Sequence, residues 1–274
     1  MKICIASYSF HGLRAAGMMD GFGYLESVRH RYNLDAADIW NGILGSDPTV
    51  YLNSDFIQKF KGALLERDLS LANYHVDGVH VWEDDPAARE QNYRNALEHI
   101  RAAEFLGAET LRIDAGGKGN DMSEEQFEFT VNRYAEYARL AGSFGCRVGP
   151  ENHWGPSLNP NVMDRLAKAV NSPAYGILMH IGHWEVGDEA EGDRRMAPWA
   201  MHTHVDARTT NTCLQERMKI LIDAGYTGYW GVEHHSARNE YAEVAYQIAA
   251  VRRALILAEH PANTVATINP LLGF

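Results

Sequence analysis

Eight short apolar runs of strand length recur along the chain, at 2–6, 36–40, 70–75, 109–113, 146–151, 176–181, 199–204 and 228–233. Longer mixed segments separate them. Those at 54–68, 87–106, 124–144, 161–171, 213–224 and 238–259 read as helices, and those at 18–31 and 184–197 do so more weakly. Local signals mark several boundaries. Asp85 before Pro86 is an N-cap and first-turn pair. Ser123-Glu-Glu-Gln126 has the form of a capping box. Gly107, Gly145 and Gly225 follow helical runs, where a left-handed residue ends a helix before the next strand.

Strand and helix thus alternate from one end to the other. Eight β/α units predict one α/β domain over residues 1–260, a (β/α)8 TIM barrel whose parallel strands are covered by helices. A doubly wound open sheet is the competing fold. It would favour a phosphate loop after the first strand, and Ser7-Tyr8-Ser9-Phe10-His11-Gly12 is not glycine-rich in that sense. The tail, 261–274, is irregular and ends in Pro270-Leu-Leu-Gly-Phe274. Such a tail is expected to pack across the barrel or to reach a neighbouring subunit of a homo-oligomer.

Composition narrows the partners. Apolar residues make up 46% of the chain, enough for a globular core. A formal charge of −11 and the lack of a basic stripe argue against nucleic acid. No run approaches the roughly 18 apolar residues of a membrane span. The first residues enter a strand directly, without the pattern of a signal peptide. Cys4, Cys146 and Cys213 have no metal-type spacing, and two of them sit in strand-like runs. Free thiols fit a reducing compartment, so a cytoplasmic location is expected.

Active sites of TIM barrels lie at the carboxyl ends of the strands. Here those ends are rich in carboxylates and imidazoles. The fifth strand delivers Glu151, Asn152 and His153, and the sixth His180 and His183. The seventh delivers His202, His204 and Asp206, and the eighth Glu233, His234 and His235. Alternation along a strand points His202 and His204 inward together, and likewise Glu233 and His235, with His234 outward. A lone histidine at a strand end is usually a hydrogen-bonded structural residue. Four consecutive strands ending this way favour one shared divalent cation over a solvated histidine rim.

Three motifs carry a resemblance. Pro150-Glu151-Asn152-His153-Trp154-Gly155 is similar to the fifth-strand glutamate motif of the xylose isomerase-like TIM barrels, the sugar phosphate isomerase/epimerase superfamily that includes the ketose 3-epimerases. Gly176-Ile-Leu-Met-His180-Ile-Gly-His183 resembles that family's sixth-strand segment, commonly Asp-x-x-His, and Trp230-Gly-Val-Glu233 its final glutamate strand. His204 matches the seventh-strand histidine. The resemblance runs along nearly the whole chain. It implies cation ligands Glu151, His180, His204 and Glu233, with His183 on a substrate hydroxyl. It also implies proton transfer by Glu151 and Glu233 through an enediolate. His180 departs from the usual aspartate. Imidazole suits transition ions better than Mg, so Mn is the favoured metal, with Co, Fe, Ni, Zn or Mg as alternatives. With His180 turned away, three ligands and a water would remain.

The implied activity is metal-dependent isomerisation or epimerisation of a monosaccharide or sugar derivative. The alternative is a lyase on the same scaffold, acting on a keto-sugar, a keto-glycoside (C-glycoside-type cleavage included) or a cyclic polyol. A nuclease of the related endonuclease barrel type is disfavoured by the charge, and a noncatalytic subunit by the paired glutamates. His153, Arg208, Trp40 and His75 are further substrate-binding candidates. Arg112 can reach the same pocket, Asp206 can orient a ligand histidine, and the aromatic loop Asp77–Trp82 can cover it.

Overall fold

All eight apolar runs form strands in the computed structural model, which describes residues 1–259. They are β1 (Ile3–Ile5), β2 (Ala36–Trp40), β3 (Ser70–Val76), β4 (Thr110–Ile113), β5 (Arg147–Gly149), β6 (Ile177–His180), β7 (Ala200–Val205) and β8 (Trp230–Val232). Parallel ladders join β2-β3-β4-β5 and β1-β8-β7-β6. Two seams remain, and single parallel bridges close them. Ala6 pairs with Asp38 at one; Val148 with Tyr175 and Glu151 with Leu178 at the other. The ring is therefore a closed (β/α)8 barrel. Close approach at the second seam depends on Gly149, where a Cβ would lie 1.7 Å from the Gly176 carbonyl oxygen. Residue 260 and the expected tail, 261–274, lie outside the described residues.

Eight main helices cover the strands: α1 (Gly21–Glu26), α2 (Ser54–Glu66), α3 (Pro86–Leu106), α4 (Glu124–Gly142), α5 (Pro160–Val170), α6 (Glu189–Met196), α7 (Leu214–Asp223) and α8 (Glu240–Glu259). The boundary signals act as their chemistry requires. Asp85 accepts from the Ala87 N–H at 3.0 Å, and the Ser123 hydroxyl from the Gln126 N–H at 3.1 Å. Gly107, Gly145 and Gly225 take φ of 78°, 82° and 86°, which a side chain disfavours. The two weak segments are the two shortest of these helices. α1 runs into a π-turn at Ser27–Arg31, and α6 is mostly charged, burying Ala190, Gly192, Asp193 and Met196. Among the described residues no helix is long and apolar enough to cross a membrane.

Apolar side chains of the strands, such as Ile5, Ile39, Leu111 and Val232, pack outward against the helices in one large core. The barrel interior is different. A small apolar cluster of Cys4, Ala36 and Ala72 stands apart from that core. The lumen is filled by Asp38, Asn73, Thr110, His202 and His204, all buried, where most TIM barrels stack Val, Ile and Leu. A polar lumen is costly unless every group is paired. Here a bonded chain runs across it: Thr110 donates to Asn73 Oδ1 at 2.9 Å, and Asn73 donates to Asp38 Oδ1 at 2.8 Å.

Candidate metal centre and active site

At the carboxyl ends of β5 to β8, the ligand atoms of Glu151, His180, His204 and Glu233 lie within 4.8 Å of one another, and all four residues are buried. His180 Nδ1 is 3.3 Å from Glu151 Oε1 and 3.6 Å from Glu233 Oε2. His204 Nδ1 is 3.4 Å from Glu151 Oε1 and 3.2 Å from Glu233 Oε2. His180 thus faces the cluster, as expected, and does not turn away. These spacings fit a divalent ion. A tetrahedron with arms of about 2.1 Å has edges of about 3.4 Å. His204 Nδ1 is also a buried nitrogen with no hydrogen-bond partner among the described residues, although two carboxylates stand beside it.

Electrostatics point the same way. Burial would discharge His204, yet Glu233 and Asp38 hold its pKa well above the ordinary value. Burial would also raise both glutamates. His153 and Arg112 hold Glu151 well below the carboxylate range, and His204 and His235 do the same for Glu233. A site that keeps positive charge on an imidazole between two carboxylates is one where a cation can take the proton's place.

Asp38 sets the orientation of His204. Its Oδ2 accepts from His204 Nε2 at 3.0 Å and from His202 Nε2 at 2.8 Å. A hydrogen on Nε2 leaves the His204 Nδ1 lone pair for a metal, the usual carboxylate–histidine arrangement. Gly231 makes room for it, since a Cβ there would lie 2.6 Å from the Thr203 carbonyl oxygen and 3.2 Å from Asp38 Oδ2. Asn152 braces the neighbouring strand. Its amide accepts from the His180 N–H at 2.7 Å and donates to the carbonyls of His180 and His183 at 2.8 and 3.0 Å. Replacing Asp38 by Asn should weaken divalent-cation binding by about 10–100-fold, the range for such supporting partners. Calorimetric titration checks this, and unchanged affinity would contradict the assigned role.

A cavity of about 250 Å³ opens above the cluster, lined in part by Tyr8, Trp40, His75, Asp77, Arg112 and His235. His153 and His183 also border it. Of the sequence-derived substrate-binding candidates, Trp40, His75, His153 and His183 therefore meet at one place. Arg208 does not. It pairs with Glu189 at 2.9 Å and donates to the Gly182 carbonyl at 2.7 Å, because α6 presents its first-turn carboxylates there. His202 lies beneath the cluster on Asp38, and His234 points outward to the Arg238 carbonyl at 3.2 Å. Asp206 Oδ2 is 4.0 Å from His180 Nε2 and also caps the short helix Ala207–Thr212. Trp82 packs against Phe129 and Arg89, away from the cavity.

Some lining residues carried little sequence signal. Arg112 Nε stands 3.1 Å from Glu151 Oε2, while its Nη1 donates to Asp77 and Asp114 at 2.7 and 2.9 Å. Tyr8 packs edge-on to Trp40, with ring centroids 5.1 Å apart. Both follow the strand-end rule, since Tyr8 comes just after β1 and Arg112 near the end of β4. His235 donates to Glu233 at 3.0 Å. His153 is held by Asp114 at 3.1 Å; burial would lower its pKa, but Glu151 and Asp114 outweigh that and push it up to about 9. His75 and His183 are pushed down to about 4 by burial, so both are neutral at physiological pH.

This fold recurs among solved structures. L-ribulose 3-epimerase aligns with a TM-score of 0.77 at 14% identity, over 98% of this chain and 99% of that one. The IOLI protein with a bound zinc atom gives 0.72 at 13% identity, over 93% and 97%. The probable 3-DHS dehydratase AsbF of Bacillus anthracis gives 0.69 at 14% identity, over 93% and 99%. At such identities the likeness establishes the fold alone. No curated protein matches the chain. A family model does: that of the xylose isomerase-like TIM barrel matches residues 14–254. The chain belongs to the xylose isomerase-like TIM barrel family.

Proposed function

We propose that this protein is a divalent-metal-dependent sugar isomerase or epimerase that moves a proton at the carbon beside a carbonyl. The observation that carries the reading is the pair of buried glutamates, Glu151 and Glu233, bracketing His180 and His204 at the floor of a cavity the size of one sugar ring. Those four residues would hold the cation, and a mixed imidazole and carboxylate set favours Mn or a neighbouring transition ion. When bound, such an ion polarises the substrate carbonyl and makes the adjacent C–H acidic.

The two glutamates are not equivalent. Glu151 Oε2 faces the Arg112 guanidinium at 3.1 Å. Glu233 Oε2 faces His204 and His235, and its Oε1 has no partner among the described residues. Glu233 is therefore the better-placed base. It takes the proton from carbon, and Glu151, after itself picking up a proton from solvent, returns one to the opposite face or to the next carbon. The first outcome is epimerisation and the second isomerisation. His75, buried, and His183, half-buried, are both neutral at the wall and suit sugar hydroxyls, and Trp40 offers a ring face. A second reading is a lyase. Removal of the same proton can expel a group at the β-position, and His153, exposed at the cavity edge beside Asp114, is placed to protonate it. The alignment with a dehydratase of this fold is compatible with that chemistry.

Proton transfer through an enediolate should carry solvent deuterium into the carbon beside the carbonyl. A hydride shift would carry none. Hydride-shift isomerases usually need a lysine near the site; no lysine lines this cavity, and none occurs between Lys168 and Lys219. A screen of ketoses and keto-glycosides in heavy water, read by mass spectrometry, is the direct test. Product formed over many turnovers without deuterium would sink the proton-transfer mechanism.

A further inference from the structure

A second cavity, of about 470 Å³, lies beside the first, between the loops that follow β2 and β3 and helix α3. Asp77 borders both cavities and is itself exposed, so the two meet at its side chain. Two largely buried side chains line the second cavity with hydrogen-bonding capacity left over for a ligand. His99 is 2% exposed; its Nδ1 is 2.7 Å from the Tyr74 hydroxyl, and its Nε2, across the ring, has no partner among the described residues. Tyr51 is 3% exposed; its oxygen accepts from Asn41 Nδ2 at 3.2 Å, and its own hydrogen meets no acceptor among the described residues. The two rings are 5.9 Å apart.

The chemistry of the lining defines what would pair them. His99 is neutral, since burial pushes its pKa down to about 4. Its Nε2 is a donor or an acceptor according to which proton the Tyr74 contact uses, and a hydroxyl satisfies either case. Asn53 and Asn95 add amides that both donate and accept, and no lysine or arginine lines the space to favour an anion. Neutral hydroxyls beside an aromatic ring describe a sugar.

We propose that this side cavity is a subsite for a second, neutral sugar ring, so that the ligand spanning both cavities is a two-ring glycoside. The proposal rests on the reading of the first cavity as a sugar site. The wall between the two is already coupled. Asn41 exchanges hydrogen bonds with the Asp77 backbone at 3.0 and 3.2 Å, and the Asp77 carboxylate holds Trp40 Nε1 and Arg112 Nη1, both at 2.7 Å. A ring bound against Tyr51 would press on the same wall that faces the reacting ring.

The test is calorimetric titration of the whole protein with maltose and with glucose, comparing wild type, Asn95→Trp, which fills the side cavity, and Trp40→Ala, which alters the first. Wild type should take one maltose at least about tenfold more tightly than glucose, and Asn95→Trp should erase that advantage. Tyr51→Phe, which removes the hydroxyl and with it the Asn41 contact, should give a loss of a few fold and serves if the larger change impairs folding. Two glucose molecules per chain, one lost in Asn95→Trp, would keep the sugar subsite and identify its occupant as a separate sugar. Maltose and glucose affinities unchanged in both Asn95→Trp and Tyr51→Phe would overturn the subsite. Affinities unchanged in Trp40→Ala alone would instead overturn the sugar reading of the first cavity.

Discussion

Replacing Glu151 or Glu233 by glutamine should each lower turnover by at least about a hundredfold, the order lost with a general acid or base. Both variants should fold. The change is nearly isosteric, and each side chain sits at the open end of the barrel, where the amide finds polar neighbours. The two should differ in detail. In Glu151→Gln the amide oxygen can still face Arg112, so its NH2 turns toward His180 Nδ1, 3.3 Å from the present Oε1. Cation affinity should therefore fall along with turnover. In Glu233→Gln the oxygen lost as a base is the one without a partner, so turnover should fall with less effect on binding. Circular dichroism and cation titration separate these effects from misfolding. If only one of the two variants is impaired, the two-carboxylate relay fails and a one-base lyase becomes the better description.

Much of this site was legible in the sequence because strand ends in a parallel barrel converge. Glu151, His180, His204 and Glu233 each close an apolar run, and the closed ring brings them within 4.8 Å. Alternation sorted His235 inward and His234 outward for the same reason. Partnership across the lumen was not legible. Asp38 orients His202 and His204 from positions 164 and 166 residues away in sequence, and nothing in strand period says which side chain lies opposite in the ring. Arg112 was expected to reach the pocket, but its hold on Glu151 depends on the stagger between β4 and β5. Arg208 misled because spacing from His204 says nothing of α6, whose Glu189 captures it. The side cavity was invisible for a similar reason, since His99 reads as one more helical position until α3 packs it behind Tyr51.

Removing the divalent cation should abolish activity, and Mn or Co should restore it better than Mg. Two of the four donors are imidazole nitrogens, and Mg favours oxygen ligands in a near-octahedral shell that keeps several waters. The cluster here is buried, with Nδ1 of both histidines turned onto Glu151 and Glu233 and with Asp38 fixing His204 from behind. Such a donor set suits a borderline transition ion better than a hard, oxygen-seeking one. It also predicts a result that does not depend on turnover. Without a cation, Arg112 balances Glu151, and a proton on His204 balances Glu233. A cation that binds only the folded chain stabilises it by mass action, by about 2.7 kcal/mol at a hundred times its dissociation constant. Thermal unfolding of chelator-treated protein, repeated with Mn and with Mg, should therefore show a clear rise in midpoint with Mn and a smaller one with Mg. Equal stabilisation and equal activity with Mg would contradict imidazole coordination by His180 and His204. Full activity after exhaustive chelation, with elemental analysis confirming the metal gone, would remove the cation from the mechanism and leave Arg112 to stabilise the developing negative charge.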